Sequence, residues 1–285
     1  MLLGRHFPAV APPVLQEWLL QRRQRSLVLH ACLPKSGSSY LYEGLGAFGG
    51  YGLGSLAPGY GLREDEIEVA RLRQYPRGNW VFKHHVRPSD QTRLLQDRYG
   101  VQVIVQVRNL LDVLVSMHDH IDQYLHDPGM AWPTVPVDPT RWPAMTAEQR
   151  YRLLSEYVSP WLVSFVVRWA WEIRMNLEQD RPDAVLLVRY KNLMADPQGT
   201  FGWLLRTLQP QTQIRAATEL DLGRIDAGRS LLNVGVPGRG QELDEQFPFV
   251  RERLMALSAP YPDVNVDALL HWEPRKMRAE DLLAR

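Results

Sequence analysis

The sequence predicts an α/β protein with a central, mainly parallel sheet and helices on both of its faces. Short apolar runs with β-propensity alternate with longer segments of helical pattern, as they do in successive βα units. The runs occupy residues 27–33, 79–85, 101–107 and 184–189. Polar or basic residues follow each run, and in such sheets ligands bind beyond the carboxyl ends of the strands. The functional residues are therefore expected at one edge of the sheet.

The length of 285 residues, with 45% apolar and 23% charged residues, predicts a single globular domain over residues 1–285. Residues 1–25 are expected to form an N-terminal arm or short helix. The formal net charge of +1 argues against nucleic acid as a partner, so any positive potential has to be local. The lone cysteine, Cys32, excludes an internal disulfide framework. Without a continuous apolar signal core or a membrane-length run, the pattern favours a soluble, cytoplasmic protein.

A short loop rich in lysine, serine and glycine follows the first predicted strand. Pro34 cannot continue a central strand, Gly37 supplies a permissive backbone position, and a helix is expected from about residue 38. The N–H groups of such a loop and of the first helical turn point at an anion, and the helix dipole favours negative charge. The candidate anion-binding residues are Lys35, Ser36, Gly37, Ser38 and Ser39.

This loop is not a Walker A motif, in which the lysine follows the last glycine of G-x-x-x-x-G-K-[ST]. Here Lys35 precedes Gly37. The order Pro-Lys-Ser-Gly-Ser-Ser-Tyr resembles the 5′-phosphosulfate loop of sulfotransferases that use 3′-phosphoadenosine 5′-phosphosulfate (PAPS), commonly Pro-Lys-Ser-Gly-Thr-Thr-Trp. An ordinary βα turn would give the same short pattern, so a second motif has to decide.

The second motif begins where the strand at 101–107 ends. Arg108 follows that strand, and Ser116 lies about two turns into the next helix. An arginine fork and a hydroxyl can hold one phosphate monoester together. The segment RNLLDVLVS closely resembles the sulfotransferase 3′-phosphate motif Arg-Asn-x-x-Asp-Val-x-x-Ser. With two motifs in the expected order, the chain resembles the PAPS-dependent sulfotransferase family from about residue 27 to residue 240.

The resemblance implies a P-loop-like nucleotide-binding architecture and transfer of a sulfuryl group from PAPS to a hydroxyl or amine, which leaves adenosine 3′,5′-bisphosphate (PAP). The segment FKHH is similar to the family's Lys-Thr-His segment and puts His85 at the catalytic histidine and Lys83 at the conserved lysine. His85 would then be the base, Lys35 would stabilise the leaving phosphate and Lys83 the sulfuryl oxygens. Strand alternation points His84 and His85 to opposite faces, so one of them serves the site.

Further cofactor contacts are implied by the resemblance. Tyr40 stands where an aromatic residue stacks on adenine, and Tyr190 lies in a segment similar to the family's Tyr-Glu-Asp-Leu sequence near the adenine. The stretches 126–145 and 230–248 are predicted to be loops that cover substrate or cofactor. The glycine-rich stretch 49–61 is predicted to be a loop without an assigned role.

The late loop departs from the family pattern. Residues 233–238 resemble the Arg-Lys-Gly-x-x-Gly phosphate loop, with Asn233 and Gly235 as candidate cofactor contacts. Val234 replaces the usual lysine, and Gly240 stands where tryptophan is common. The missing charge is therefore expected from Arg239 or Arg229, which leaves two alternatives open.

Two other functions compete with sulfuryl transfer. A P-loop-type phosphotransferase needs a Walker A loop and a magnesium-binding acidic strand end, and neither is clear in the sequence. A non-catalytic nucleotide-binding protein would bind PAP without transferring sulfate.

His118, Asp119 and His120 do not share one helix face, which favours solvated polar residues over a metal site. The acceptor is expected to be a small molecule, a glycan or a carrier-bound compound, and the pattern sets no oligomeric state.

Overall fold

The computed structural model describes residues 26–58, 66–75, 78–126, 135, 137–181, 184–208, 221–222, 225, 238–271 and 279–283. The strands within these ranges are β1 (Leu27–Cys32), β2 (Gly52–Gly54), β3 (Trp80–His84), β4 (Gln102–Val107) and β5 (Val185–Arg189). They form one sheet in the order β2-β3-β1-β4-β5, and every neighbouring pair is parallel. The predicted α/β class with a parallel sheet is confirmed.

Strand β1 lies at the centre of the sheet and is buried along its whole length. The register pairs Ala31 with His84 of β3 and Cys32 with Gln106 of β4, so these three strands end at the same level. The four segments that the sequence marked for chemistry therefore leave the sheet at one edge, directly after β1, β3, β4 and β5.

Helices cover both faces of the sheet. They are α1 (Ser38–Gly49), α2 (Asp90–Tyr99), α3 (Leu110–Tyr124), α4 (Ala147–Tyr157), α5 (Ser159–Glu178), α6 (Tyr190–Ala195), α7 (Pro197–Leu208), α8 (Gly240–Gln246) and α9 (Phe249–Ser258). Short 3₁₀ helices lie at Val69–Gln74, Trp142–Ala144, Val266–Leu269 and Ala279–Leu282. No helix in the described part of the chain is long and apolar enough to span a membrane.

Strand alternation divides the apolar side chains between two cores. Val28 shares one core with Leu41 of α1 and Phe201 of α7. The next residue of β1, Leu29, lies in the larger core on the opposite face, which α3 and α5 cover. A sheet buried on both faces explains why the predicted strands are nearly continuous apolar runs.

Strand β2 lies within the glycine-rich stretch 49–61 that the sequence predicted as a loop. Its sequence, Gly-Leu-Gly, has no β-propensity of its own. The glycines are needed because a Cβ at Gly52 would lie 2.5 Å from Trp80 Cε3, and one at Gly54 would lie 2.7 Å from Phe82 Cε1. Aromatic side chains of β3 thus fill the space beside β2, and pairing with β3 creates the strand.

The structure also corrects predicted boundaries elsewhere. Residues 240–246 form α8, although the sequence predicted a loop over 230–248. The sequence pattern of residues 64–73 predicts a surface helix, whereas residues Val69–Gln74 form a 3₁₀ helix. Both segments are short and polar, so that local pattern alone does not define them. Residues 1–25, 59–65, 127–134, 136 and 226–237 lie outside the described residues, and the covering roles of 126–145 and 230–248 stay predictions.

Gly240 allows α8 to pack directly on α3. A Cβ at Gly240 would come within 2.6 Å of Leu111 Cβ and 2.7 Å of the backbone nitrogen of Asp112. These neighbours belong to the backbone and first side-chain atom of a buried helix, which cannot move aside. The tryptophan that is common at this position in the resembling family therefore has no room here.

Gly240→Ala is expected to lower the free energy of unfolding by about 1–3 kcal/mol, because it overpacks the contact between α8 and α3. Denaturant unfolding measures the change. Gly202→Ala in α7 is the control, since its Cβ would meet only the end of the Arg206 side chain, 3.3 Å away. That variant should be neutral or stabilising by up to about 1 kcal/mol. Equal stability of the two variants would contradict the close contact.

Candidate functional site

The loop between β1 and α1 turns through two residues in the left-handed region. Lys35 has φ 56° and Gly37 has φ 77°. A lysine in this conformation costs on the order of 1 kcal/mol and persists only where the surroundings hold it. Gly37 occupies the N-cap position of α1. A residue with a side chain does not fit there, because its Cβ would lie 2.5 Å from Tyr190 Cε2. The predicted turn into a helix N-terminus, with Ser38 and Ser39 in its first turn, is present.

Three hydrogen bonds hold carbonyl groups of this loop. Ser36 Oγ donates to the Leu33 carbonyl at 2.6 Å. Arg108 Nη1 donates to the Lys35 carbonyl at 2.9 Å, and Gln106 Nε2 donates to the Ser36 carbonyl at 2.7 Å. These carbonyls are bound to protein donors, and the N–H groups of such a turn are the groups that would bind an anion.

A buried polar pair lies beneath the loop. His30 of β1 and Gln106 of β4 are fully buried, and His30 Nε2 lies 2.7 Å from Gln106 Oε1. An amide oxygen only accepts, so Nε2 carries the proton. Burial lowers the pKa of His30 to about 3, which keeps the ring neutral at physiological pH. Sequence reasoning missed this pair, because Gln106 looks like an ordinary polar residue in a strand and its partner lies on another strand.

Lys35 is the cation of the loop. Burial, together with the nearby charges of Arg108 and Lys83, lowers its pKa to about 8, whereas Asp119 opposes the change. Its Nζ lies 3.5 Å from Nδ1 of His120. The ammonium group of Lys35 therefore lies near other positive charges, and a bound anion would offset the repulsion between them.

The two histidines at the end of β3, His84 within the strand and His85 directly after it, differ in their surroundings as the sequence predicted. His84 is fully buried, and its Nε2 accepts the Leu56 N–H at 2.9 Å. His85 is half-buried at the edge of the sheet, with Nδ1 2.9 Å from the Cys32 carbonyl. A carbonyl only accepts, so Nδ1 carries the proton and Nε2 presents its lone pair. This tautomer suits a base. Lys83 is half-buried on β3, in register with His30 of β1.

One face of α3 runs along the site. Arg108 precedes the helix, and Asp112, Ser116 and His120 follow at successive intervals of four residues, which places them on one face. All four are buried. The sequence motif assigned only Arg108 and Ser116 to the site. The same four-residue spacing would have added Asp112 and His120, which sequence reasoning did not assign to the site.

A pocket of about 160 Å³ opens beside this face. Its described lining consists of Arg108, Asn109, Asp112, Arg189, Tyr190, Lys191, Gly238 and His271. The Arg108 guanidinium lies over the Tyr190 ring, 4.4 Å from its centroid. Asp112 accepts the Gly238 N–H at 3.0 Å and the Gly240 N–H at 2.8 Å. The described end of the late loop is thereby fixed against α3.

Two further residues predicted to contact the cofactor, Tyr40 and Arg239, lie within the described part of the chain. Tyr40, on α1, is half-buried with its ring centroid 6.0 Å from that of Phe201. Arg239 Nη1 lies 2.5 Å from Asp119 Oδ2, and this hydrogen bond raises the pKa of the arginine. Asn233, Gly235 and Arg229 lie outside the described residues. The cofactor roles of Tyr40 and Arg239 stay predictions.

The expectation that His118 and His120 are solvated is wrong. The ring of His118 stacks on Tyr151 with centroids 5.0 Å apart, and burial lowers the pKa of His118. His120 is 8% exposed and touches Lys35. His118 is partly buried because α4 packs against α3, and His120 is buried where the loop after β1 meets α3. Among the described residues, no group of three or more His, Cys, Asp or Glu is arranged to hold a metal ion.

The fold is similar to that of a known enzyme. A crystal structure of mouse sulfotransferase SULT7A1 in complex with PAP matches the chain with a TM-score of 0.56 and 17% sequence identity, over 89% of this chain and 92% of that chain. No protein-family model and no curated protein matches the sequence. The structural likeness shows that the chain has a sulfotransferase fold, as the resemblance of its motifs implied.

The lowered pKa of Lys35 predicts a pH dependence of anion binding. Above pH 8 the unliganded lysine loses its charge, whereas a bound phosphate favours the ammonium form and raises its pKa. Affinity for adenosine 5′-phosphate should therefore fall as pH rises from about 8 to 9.5, by up to about tenfold per pH unit. Calorimetric titration measures this fall. Lys35→Arg keeps its charge over this pH range, so its affinity should not change with pH. The same dependence of affinity on pH in both proteins would refute the role of Lys35 as the cation that contacts the phosphate.

Proposed function

We propose that the protein is a sulfotransferase that uses PAPS and transfers the sulfuryl group to a hydroxyl or amine of a small-molecule, glycan or carrier-bound acceptor. The position of Arg108 carries this proposal, because it donates to the Lys35 carbonyl in the loop and also lines the pocket beside Tyr190. Two sites suited to phosphate thus share one guanidinium. A nucleotide with phosphates at both the 5′ and the 3′ positions fits such a pair.

In this proposal each site binds one end of the nucleotide. The N–H groups of the loop from Ser36 to Ser38, together with Lys35 and the hydroxyl of Ser39, bind the 5′-phosphosulfate. Arg108 and Ser116 bind the 3′-phosphate, and Tyr40 and Tyr190 contact the adenine. Ser36 acts through its backbone, since its hydroxyl is bound to the Leu33 carbonyl.

The chemistry needs a base and a cation on opposite sides of the transferred group. Charge develops on the bridging oxygen of the departing phosphate, and protonated Lys35 stabilises it there. Lys83, close enough to lower the pKa of Lys35, stabilises the sulfuryl oxygens. His85 accepts the acceptor's proton at Nε2, because its Nδ1 proton is held by the Cys32 carbonyl. Neighbouring strands β1 and β3 deliver these groups to one edge, which favours in-line attack.

Arg108→Ala should weaken PAP binding by about 2 kcal/mol, because a charge-assisted contact with the 3′-phosphate is lost. Adenosine 5′-phosphate, which lacks that phosphate, should lose less affinity, because for this nucleotide only the hydrogen bond from Arg108 to the Lys35 carbonyl of the loop is removed. Calorimetry with both nucleotides measures the difference. Arg152→Ala removes a cation from the exposed ion pair with Glu148 and should alter neither affinity. Equal losses for the two nucleotides in Arg108→Ala would exclude the 3′-phosphate assignment.

His85→Asn should reduce turnover by about 10²-fold or more, the usual scale for a removed general base, while PAP affinity stays nearly unchanged. The asparagine amide can still donate to the Cys32 carbonyl, so the local structure is kept. The lower turnover then reports the missing basic nitrogen. His84→Asn is the matched comparison and should act through stability, since the Leu56 N–H loses its acceptor. Sulfate transfer from PAPS to a panel of hydroxyl and amine acceptors gives the rates. Full activity of His85→Asn would rule out histidine base catalysis.

A further inference from the structure

The pocket beside Tyr190 carries more positive than negative charge. Asp112 is the one carboxylate among its described lining residues. Its two oxygens accept the N–H groups of Gly238 and Gly240, and Arg108 Nε lies 3.6 Å from Oδ2. The carboxylate therefore fixes the end of the late loop, and its charge is balanced by these donors.

Two of the basic residues in the lining build the wall of the pocket. Arg189 Nη2 donates to the His271 carbonyl at 3.0 Å, with a longer contact of 3.4 Å to the Ala268 carbonyl. His271 Nε2 lies 2.5 Å from Asp267 Oδ2. These contacts join β5 to the chain after α9. The other two basic lining residues are Arg108 and Lys191.

Lys191 follows Tyr190 directly, and the Tyr190 ring carries the Arg108 guanidinium. The two cations thus line the same pocket next to one aromatic residue. Lys191 also stands where the resembling Tyr-Glu-Asp-Leu segment has a glutamate. One negative charge is replaced by a positive charge at this position, whereas Val234 removes the positive charge from the late loop.

Lysine is rare in this chain. Of the 33 lysine and arginine residues, four are lysines, and three of them, Lys35, Lys83 and Lys191, lie at the carboxyl edge of the sheet. An ammonium on a flexible stem is a point charge that can follow a phosphate group, whereas arginine imposes a fixed fork. Apart from Lys276, every other basic residue of the Lys and Arg set is an arginine, so lysine is concentrated at the candidate site.

We propose that Lys191 supplies the second cation for the 3′-phosphate of the nucleotide, in place of the lysine that the late loop lacks. This inference rests on the proposed function, in which Arg108 is the first cation of that site. It assigns the charge to the start of α6, in the pocket that Arg108 also lines, and not to Arg239 or Arg229, the two alternatives expected from the sequence.

The test compares nucleotides that differ only in the 3′-phosphate. Lys191→Gln should weaken PAP by about tenfold, the effect of losing one charge-assisted contact, and leave adenosine 5′-phosphate within about twofold of the wild-type affinity. Lys191→Arg should keep most of the preference for PAP. Arg181→Gln, which removes a charge from an exposed ion pair with Asp97, is the matched control and should bind both nucleotides like the wild type. Thermal unfolding checks that each variant is folded.

The outcomes separate the two proposals. A wild-type protein that does not prefer PAP over adenosine 5′-phosphate overturns the proposed function, and with it the role of Lys191. A wild-type protein with that preference, retained in full by folded Lys191→Gln, overturns the role of Lys191 alone. Loss of the preference in Lys191→Gln and its recovery in Lys191→Arg supports both.

Discussion

The hydrogen bond between two buried side chains, His30 and Gln106, helps to determine the backbone conformation of the loop after β1, on which the candidate site depends. Burying two polar side chains is unfavourable unless each is hydrogen-bonded. The neutral imidazole donates to Gln106 Oε1, and this contact turns the amide nitrogen toward the Ser36 carbonyl. Only the parallel pairing of β1 with β4 brings the two residues together. The orientation of the Ser36 carbonyl is therefore set by residues inside the sheet, on the side of α1, and adds to the loop's own hydrogen bond from Ser36 Oγ to the Leu33 carbonyl.

The left-handed turn at Lys35 follows from the same constraint. Its strain is offset by donors to the carbonyls of Leu33, Lys35 and Ser36, which come from Ser36, Arg108 and Gln106. Binding the carbonyls to the protein leaves the opposite side of the turn to N–H groups, which is the polarity that an anion needs. Arg108 extends the arrangement to the neighbouring pocket, since the guanidinium that holds the loop also lies over Tyr190. The loop and the pocket are thus one structural unit.

The parts of this unit that are continuous in sequence could be predicted, and the parts that depend on contacts between strands could not. The apolar runs and the turn at Gly37 are local signals, and they fixed the α/β class and the edge that carries the site. Gln106 has no local signal, because its role depends on a partner that lies 76 residues away. Strand β2 exists because its glycines make room for Trp80 and Phe82. His120 was overlooked because its neighbours in sequence were compared, whereas its neighbour along the helix face is Ser116.

The charge distribution would allow a protein with a net charge of +1 to bind the anionic nucleotide of the proposed function. The acidic residues of α3 that face the site are bound, Asp119 by Arg239 and Asp112 by two backbone N–H groups. These contacts offset part of their charge, and burial together with Arg108 and Lys83 outweighs the opposing effect of Asp119 on the pKa of Lys35. Burial, together with repulsion from Arg108 and Lys83, holds the pKa of Lys35 at about 8. A bound phosphate would favour the ammonium form of Lys35 and offset that repulsion, so the unfavourable clustering of cations in the unliganded protein would contribute to the free energy of binding.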